Sequence, residues 1–177
     1  MNTCGAIIIE NSASIEKEIE LKQQVMLLER SGIKRILIVS RNESYCTTIL
    51  KDTRAVIMEN DGHLKTVLHI VRKGISRLKR YCDRIFVFTT TGINSDEISD
   101  MMERDEDVVL LITKGKEDKV VLFGPRLLNW CLIYNGNRGI DGIWKGLADI
   151  REISCAKMYR KENREIPLAL RSVINWT

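Results

Sequence analysis

The residues that could do chemistry in this chain lie in four polar segments, each of which follows a predicted β-strand. In an open α/β sheet, ligands bind in the crevice outside the carboxyl ends of the strands. Hydroxyl, amide and ammonium groups at these ends suit a small anionic ligand. The candidates are Asn11, Ser12, Asn60, Asp61, Lys65, Thr66, Thr90 and Thr91. Two later turns, 135–139 and 141–142, contain glycines whose backbone amides could add donors.

The sequence lacks the motifs that usually mark a phosphate cradle, a metal site or a catalytic nucleophile. GxxxxGK[ST], HExxH and GxSxG are all missing, and no GxGxxG follows the first predicted strand. The two histidines, His63 and His69, are six residues apart on one predicted helix, so they would point in different directions. We therefore predict neither a histidine metal site nor a histidine base.

Length and composition indicate one compact domain. The chain has 177 residues, of which 44% are hydrophobic and 29% charged, with 2 prolines and 11 glycines. These values exclude disordered, collagen-like and low-complexity classes. No apolar run approaches the ~20 residues of a membrane span, and the first residues lack the pattern of a signal peptide. We predict a single cytoplasmic domain over residues 1–177, with no membrane partner.

The five cysteines are spaced 24 to 49 residues apart, without a CxxC pair. This spacing is typical neither of a disulfide framework nor of a zinc site. We interpret Cys4, Cys46, Cys82, Cys131 and Cys155 as small apolar residues in or near the core.

Charge is distributed in blocks. Residues 31–84 carry 12 basic and 5 acidic side chains, a net charge of +7, and residues 85–118 carry 9 acidic and 3 basic side chains, a net charge of −6. Such blocks could attract nucleic acid or a charged partner. We favour the simpler interpretation of solvated helix faces.

Hydrophobic periodicity predicts strands that alternate with helices. Strands are expected at 5–10, 34–40, 55–58, 84–89, 107–113 and 119–123, and helices at 15–31, 43–50, 64–81, from Asn94 onwards, and at 125–133. A strand near 150–158 and a helix near 167–174 complete the pattern. The alternation predicts a three-layer α/β/α sandwich. The short turn at 114–118 predicts a hairpin, and hence a mixed, mostly parallel sheet.

The order of segments resembles the MobA-like NTP transferases, a nucleotidyltransferase superfamily, over about residues 4–150. The resemblance rests on an apolar first strand and on the segments SGIKRILIV at 31–39, NDG at 60–62, KTVL at 65–68, YCDRIFVF at 81–88, VVLF at 120–123 with LL at 127–128, and GNRG at 136–139. It implies a Rossmann-like, GT-A-like nucleotidyltransferase fold. It also implies nucleotide contacts from Asn11, Ser12, Asn60, Gly62, Lys65 and Thr66.

The chain departs from this family at the residues that carry its chemistry. The family has a glycine-rich loop after the first strand that wraps the nucleotide phosphates, whereas residues 8–13 here contain no glycine. The family's metal-binding aspartates correspond to Thr90, Thr91 and Asn137, which bring no negative charge to a metal.

Three hypotheses follow. The first is a non-catalytic nucleotidyltransferase-fold protein that binds a nucleotide or small phosphorylated ligand, or works as a homo-oligomer or with a protein partner. Trp130, Trp144 and Trp176 would be anchors for such a partner if they are exposed, although we favour the interpretation that they complete the core. The second is an active, divergent enzyme that uses Mg²⁺ and an NTP, with Asp61, Asp96 or Asp141 as metal ligands and a small phosphorylated acceptor. The third, nucleic-acid binding through the basic residues at 65–84, ranks last because the segment lacks interleaved aromatic residues.

Overall fold

A computed structural model describes residues 3–10, 15–40, 50–59, 67–89, 92–113, 116–133 and 153–160. Within these ranges seven strands and four α-helices follow one another, with one short 3-10 helix at Leu50–Asp52. In chain order they are β1 (Cys4–Glu10), α1 (Ile15–Arg30), β2 (Arg35–Ser40), β3 (Val56–Glu59), α2 (Val67–Leu78), β4 (Arg84–Phe88), α3 (Ser95–Met102), β5 (Val108–Thr113), β6 (Lys116–Phe123), α4 (Pro125–Ile133) and β7 (Cys155–Tyr159).

The strands form one mixed sheet in the order β3-β2-β1-β4-β6-β5-β7. β6 runs antiparallel to its neighbours β4 and β5, whereas the other pairings are parallel. The predicted α/β class and mostly parallel sheet are confirmed. The predicted hairpin at 114–118 corresponds to the antiparallel pairing of β5 with β6.

Both faces of the sheet are covered, which explains why its central strands are continuous apolar runs. On β1, Ile7 and Ile9 pack into one hydrophobic cluster with α2 and α4. Ala6 and Ile8 pack into a second cluster with α1 and α3. The molecule is therefore the predicted three-layer α/β/α sandwich, with a hydrophobic core on each side of the sheet.

Two helix boundaries follow directly from residue type. α1 is followed by Gly32 at φ +86°, a conformation that glycine adopts without strain. The amides of Gly32 and Ile33 donate to the carbonyls of Glu29 and Leu28, which closes a Schellman motif. α4 begins at Pro125, since proline suits the first position of a helix.

Several predicted boundaries differ from the observed ones. The helix predicted at 64–81 is observed as α2, which ends at Leu78, and residues 64–66 lie outside the described ranges. β6 begins at Lys116 instead of 119, because the hairpin pairing of Thr113 with Lys116 extends the ladder. The strand predicted near 150–158 is β7, paired in parallel with β5. The helices predicted at 43–50, apart from Leu50, and at 167–174 fall outside the described residues.

Arg84 is the one buried cation among the described residues, with 3% of its surface exposed. Its Nη1 donates to the carbonyl of Met102 in the last turn of α3, 2.8 Å away. The negative end of the helix dipole partly compensates the buried charge.

None of the helices in the described part of the chain is both long and apolar enough to span a bilayer.

Candidate functional site

The carboxyl ends of four parallel strands meet at one edge of the sheet. Glu10 at the end of β1 pairs in register with Ser40 of β2, and Ser40 pairs with Glu59 of β3. From β1 the chain first adds β2 and β3 on one side and then crosses to β4 on the other. This reversal creates a crevice between the ends of β1 and β4, where open α/β sheets bind ligands.

Glu10 is the last residue of β1 and therefore lies at this crevice. It has the same strand parity as Ala6 and Ile8, so it lies on the face of β1 that α1 and α3 cover. Only residues 11–14 separate Glu10 from the first residue of α1. A carboxylate and a short connection therefore stand where the start of a helix could otherwise receive a phosphate.

The predicted ligand-binding residues belong to the connections that leave this edge. Asn11 and Ser12 follow β1, Asn60, Gly62, Lys65 and Thr66 follow β3, and Thr90 and Thr91 follow β4. All eight, and Asn137 beyond α4, lie outside the described residues. Their roles stay predictions.

The segment after β4 is held by a capping box at the start of α3. Asn94 Oδ1 accepts a hydrogen bond from the amide of Glu97 at 2.8 Å, and Glu97 Oε2 accepts one from the amide of Asn94 at 3.0 Å. The sequence predicts this helix start from Asn94 and the acidic residues that follow. The box fixes the direction in which the chain leaves the crevice.

Glu97 makes a second contact that could not be predicted from the sequence. Arg160, next after β7, donates from Nε to Glu97 Oε1 at 2.7 Å and from Nη2 to Glu97 Oε2 at 3.2 Å. The two residues are 63 positions apart, and no local pattern connects them. Glu97 thus connects the first turn of α3 to the residue that follows β7, the outermost strand of the sheet.

A cleft of about 560 Å³ lies between α1 and the residues 92–95 that lead into α3. Gln24 of α1 lines it and is 4% exposed. Neither polar atom of its carboxamide has a hydrogen-bond partner among the described residues. A buried polar group without a partner costs about 1–3 kcal/mol, so this one requires a reason.

The described residues contain no metal-binding cluster of three or more His, Cys, Asp or Glu side chains. Of the three acidic residues considered as alternative Mg²⁺ ligands, Asp61 and Asp141 lie outside the described ranges. Asp96 lies in the first turn of α3, exposed, at the carboxyl edge.

The described cysteines are unsuited to nucleophilic catalysis. Cys4, Cys82, Cys131 and Cys155 are free thiols. Burial raises the pKa of Cys131 to about 12 and that of Cys82 to about 11. Because the nucleophile is the thiolate, these thiols are unreactive at neutral pH, in agreement with their predicted core positions.

The basic segment at 65–84 presents a smaller positive surface than its composition suggests. The expectation that the helix leaves its basic residues outward is wrong for Arg72, whose half-buried guanidinium donates to the carbonyl of Leu132. Arg84 is buried. Of the described basic residues in this segment, Arg77, Lys79 and Arg80 are exposed. These three cations give little support to a nucleic-acid interface.

No protein-family model matches the sequence, and no curated protein matches it. Solved structures do match. A nucleotidyl transferase from Methanothermobacter thermautotrophicus is 12% identical, with a TM-score of 0.69 over 91% of this chain and 88% of that one. The nucleotidyltransferase-type fold is therefore shown. The inositol-1-phosphate CTP transferase from T. maritima is 11% identical, with a TM-score of 0.62 over 90% and 87% of the two chains.

A third structure with this fold, Rv0371c from Mycobacterium tuberculosis H37Rv in complex with manganese, is 10% identical, with a TM-score of 0.60 over 90% and 88% of the two chains. At these identities the likeness establishes the nucleotidyltransferase-type architecture and nothing finer. The expected GT-A-like architecture is confirmed at this level.

Proposed function

We propose that this protein is a degenerate, MobA-like nucleotidyltransferase-fold protein that binds a nucleotide or small phosphorylated ligand without transferring a nucleotidyl group. The observation that carries the proposal is the connection between β1 and α1. It has four residues, contains no glycine, and begins directly after the carboxylate of Glu10.

This connection is poorly suited to a triphosphate. A phosphate cradle uses several backbone amides in conformations that glycine permits, together with the start of a helix. Residues 11–14 are Asn, Ser, Ala and Ser, which offer fewer such conformations. Glu10 adds negative charge at the position where phosphate oxygens would approach.

The residues that correspond to the family's metal ligands support the same conclusion. Thr90, Thr91 and Asn137 are neutral, whereas Mg²⁺ in phosphoryl chemistry is held by carboxylates. Nucleotidyl transfer depends on the metal to neutralise charge on the transferred group. Without both carboxylates and the phosphate loop, binding is the function that this edge of the sheet retains.

The proposed ligand contacts are Asn11 and Ser12 after β1, and Asn60, Gly62, Lys65 and Thr66 after β3. Lys65 would supply the positive charge for an anionic ligand. We further infer one cytoplasmic domain over residues 1–177, and a homo-oligomer or a protein partner. Trp130 on α4, 37% exposed, and Ile133, 65% exposed, support a contact surface.

The test is a thermal-shift screen of the purified chain against GTP, CTP, ATP and UTP, each with and without Mg²⁺. Saturation at 100-fold above the Kd adds about 2.7 kcal/mol to the free energy of unfolding. We expect any stabilisation to be independent of Mg²⁺, and no release of pyrophosphate. A shift that requires Mg²⁺ together with pyrophosphate release would overturn the proposal.

The second candidate is an active, Mg²⁺-dependent nucleotidyltransferase, which transfers NMP from an NTP to a small phosphorylated acceptor. The position of Asp96 at the carboxyl edge, in the turn that follows β4, favours it. Asp96→Asn would then abolish the Mg²⁺-dependent shift. Asp100→Asn is the matched control, because Asp100 is also exposed but lies one turn further along α3.

A further inference from the structure

A second cleft lies at the amino edge of the sheet, where the parallel strands begin, opposite the crevice. Its volume of about 320 Å³ is within the range of small-molecule pockets. Because β2 and β3 are parallel neighbours, both begin at this edge, which is also where α1 ends. The lining comes from the last turns of α1 and from the segments before β2 and β3: Met26, Glu29, Arg30, Lys34, Asp52 and Arg54.

Three of the residues that line this cleft are cations. Arg30, Lys34 and Arg54 are all exposed. In the described part of the chain, their side chains make no hydrogen bond or ion pair. Like charges around one cleft repel one another, and an anion bound between them relieves this repulsion.

The two carboxylates of the cleft are already engaged. Asp52 Oδ2 forms an ion pair with Nζ of Lys22 at 3.4 Å. Glu29 Oε1 accepts a hydrogen bond from the backbone amide of Arg54 at 2.6 Å. With Lys22 included, four cations stand against two carboxylates, so the cleft keeps a net positive charge.

The carbonyl groups at the end of α1 are satisfied as well. Those of Leu27, Leu28 and Glu29 accept hydrogen bonds from the amides of residues 31–33. The negative end of a helix repels anions through its unpaired carbonyl groups. Pairing of these three carbonyls therefore reduces the repulsion of an anion beside Arg30.

The segment before β3 is held in place without a ligand. Leu50 is buried, and its carbonyl accepts from the amide and the hydroxyl of Thr53 at 3.0 and 3.1 Å. The bond from the Arg54 amide to Glu29 then joins this segment to α1. The backbone of Arg54 is thus fixed, so a ligand that binds here meets a partly formed site.

We propose that this cleft binds a dianionic phosphate group, either inorganic phosphate or the end of a phosphate monoester, through Arg30, Lys34 and Arg54. A phosphate monoester carries between about 1.5 and 2 negative charges at pH 7 and three acceptor oxygens. Arginine binds phosphate through two parallel hydrogen bonds, and lysine binds it as a point charge. Met26, 37% exposed, offers an apolar wall to the esterified group.

This proposal is independent of the proposed function. The nucleotide contacts proposed above belong to the connections that follow β1 and β3, whereas this cleft lies where β2 and β3 begin. Loss of nucleotide binding would leave the cleft unaffected, and loss of phosphate binding at Arg54 would leave the proposed nucleotide contacts in place.

The test is a ¹H–¹⁵N NMR titration of the full chain with inorganic phosphate, phenyl phosphate and dimethyl phosphate, at an ionic strength kept constant with NaCl. We expect phosphate to shift the amides of Lys34 and Arg54 to saturation, with a Kd of about 1 mM. Dimethyl phosphate carries a single charge, so it should bind at least about fivefold more weakly. Tighter binding of phenyl phosphate than of phosphate identifies an organic monoester as the source, and equal or weaker binding identifies free phosphate.

Two variants complete the design. Arg54→Gln should weaken phosphate binding about fivefold or more, because a charge-assisted bond is lost. It should fold normally, since the contact of Arg54 with Glu29 is made by the backbone amide. Arg77→Gln is the matched control and should change the Kd less than about twofold, because Arg77 is exposed on α2, which covers the other face of the sheet.

Four results would overturn the proposal. They are the absence of a saturable shift with phosphate, equal affinity for dimethyl phosphate, equal weakening in Arg54→Gln and Arg77→Gln, and the same shifts on addition of NaCl alone. The last result would show an effect of ionic strength only.

Discussion

Arg160 and Glu97 form a bidentate ion pair that connects the outermost strand β7 to the first turn of α3. Nε lies 2.7 Å from Oε1, and the side chains are 25% and 12% exposed. Oε2 also accepts from the amide of Asn94, so one carboxylate satisfies three donors. A side chain beyond the last described strand thus determines how rigidly a helix at the candidate site begins.

Loss of this pair should destabilise the fold. In a double-mutant cycle of Arg160→Ala with Glu97→Gln, we expect a coupling free energy of about 1–3 kcal/mol, because charge-assisted, bidentate bonds in partly buried positions are strong. Urea denaturation monitored by circular dichroism measures it. The control is the cycle of Arg104→Ala with Glu106→Gln, since Arg104 is half exposed and its Nη1 lies 3.8 Å from Oε1 of Glu106. A coupling energy equal to that of this surface pair would contradict the expectation.

Ser154→Ala should weaken the attachment of β7 to the sheet at the end opposite Arg160. Ser154 Oγ accepts from the amide of Asp107 at 2.9 Å and donates to Asp107 Oδ2 at 3.0 Å, so alanine removes two bonds at once. We expect a loss of about 1–2 kcal/mol and faster hydrogen exchange in residues 155–159. Ser99→Ala, on the exposed face of α3, should leave both unchanged. Unaltered exchange in β7 would show that the hydroxyl of Ser154 does not hold the strand.

Gly74→Ala should destabilise the protein, although alanine favours a helix by about 0.5–1 kcal/mol over glycine. A Cβ at Gly74 would lie 2.6 Å from Cδ1 of Ile7, inside the packed core. Overpacking of this kind costs about 1–3 kcal/mol. Ile7→Val removes Cδ1, so the double variant should be more stable than the sum of the single changes predicts, by about 1 kcal/mol. Additive effects in chemical denaturation would disprove the contact.

The free energy of unfolding should fall in alkaline solution because of Cys131. Burial raises the pKa of this thiol from 9.0 to about 12 in the folded state. Between pH 9 and 12 the folded chain therefore keeps a proton that the unfolded chain loses, so stability is complete below pH 9 and decreases above it, by about 1.4 kcal/mol per pH unit for one thiol. Urea denaturation from pH 7 to 10.5 should give a difference between wild type and Cys131→Ala that is constant below pH 8 and shrinks above pH 9. Parallel curves would exclude the effect.

Glu10→Gln should strengthen the binding of any nucleotide that the thermal-shift screen identifies. Removal of a carboxylate near the phosphates is worth on the order of 1 kcal/mol, about fivefold in affinity. Isothermal titration calorimetry measures it, with Glu103→Gln as the control, because Glu103 is exposed and caps the end of α3 opposite the crevice. Weaker binding in Glu10→Gln would show that this carboxylate contacts the ligand favourably.

Much of the fold could be predicted from the sequence, because local chemistry determines it. Gly32 and Pro125 mark helix boundaries by their backbone preferences, and buried strands appear as continuous apolar runs. The edge of the sheet that carries the candidate site follows from strand direction alone. The order of the strands and the pairing of β7 with β5 depend on contacts between distant segments, which no local pattern encodes.

The difference between local patterns and contacts between distant segments also applies to side chains. The helical spacing of Leu21, Val25 and Leu28 in the sequence predicts that they pack, and they are buried. Gln24, on the same face of α1, is equally buried, although its residue type favours exposure. It lines a cleft together with residues 92–95, which lie almost 70 positions away in the chain. The cleft could not be inferred before these two segments were placed together.

The position of β7 has a consequence for the synthesis of the chain. β5, Val108–Thr113, is apolar from Val108 to Ile112, and its outer edge is covered by β7. On the ribosome, at about 5–20 residues per second, that edge stays unpaired for a few seconds until residues 155–160 emerge. During this interval the nascent sheet ends in a strand that other chains can join. The hydrogen bonds of Ser154 and Arg160 thus hold β7 in place, and β7 covers the edge of β5 at which the nascent chain could aggregate.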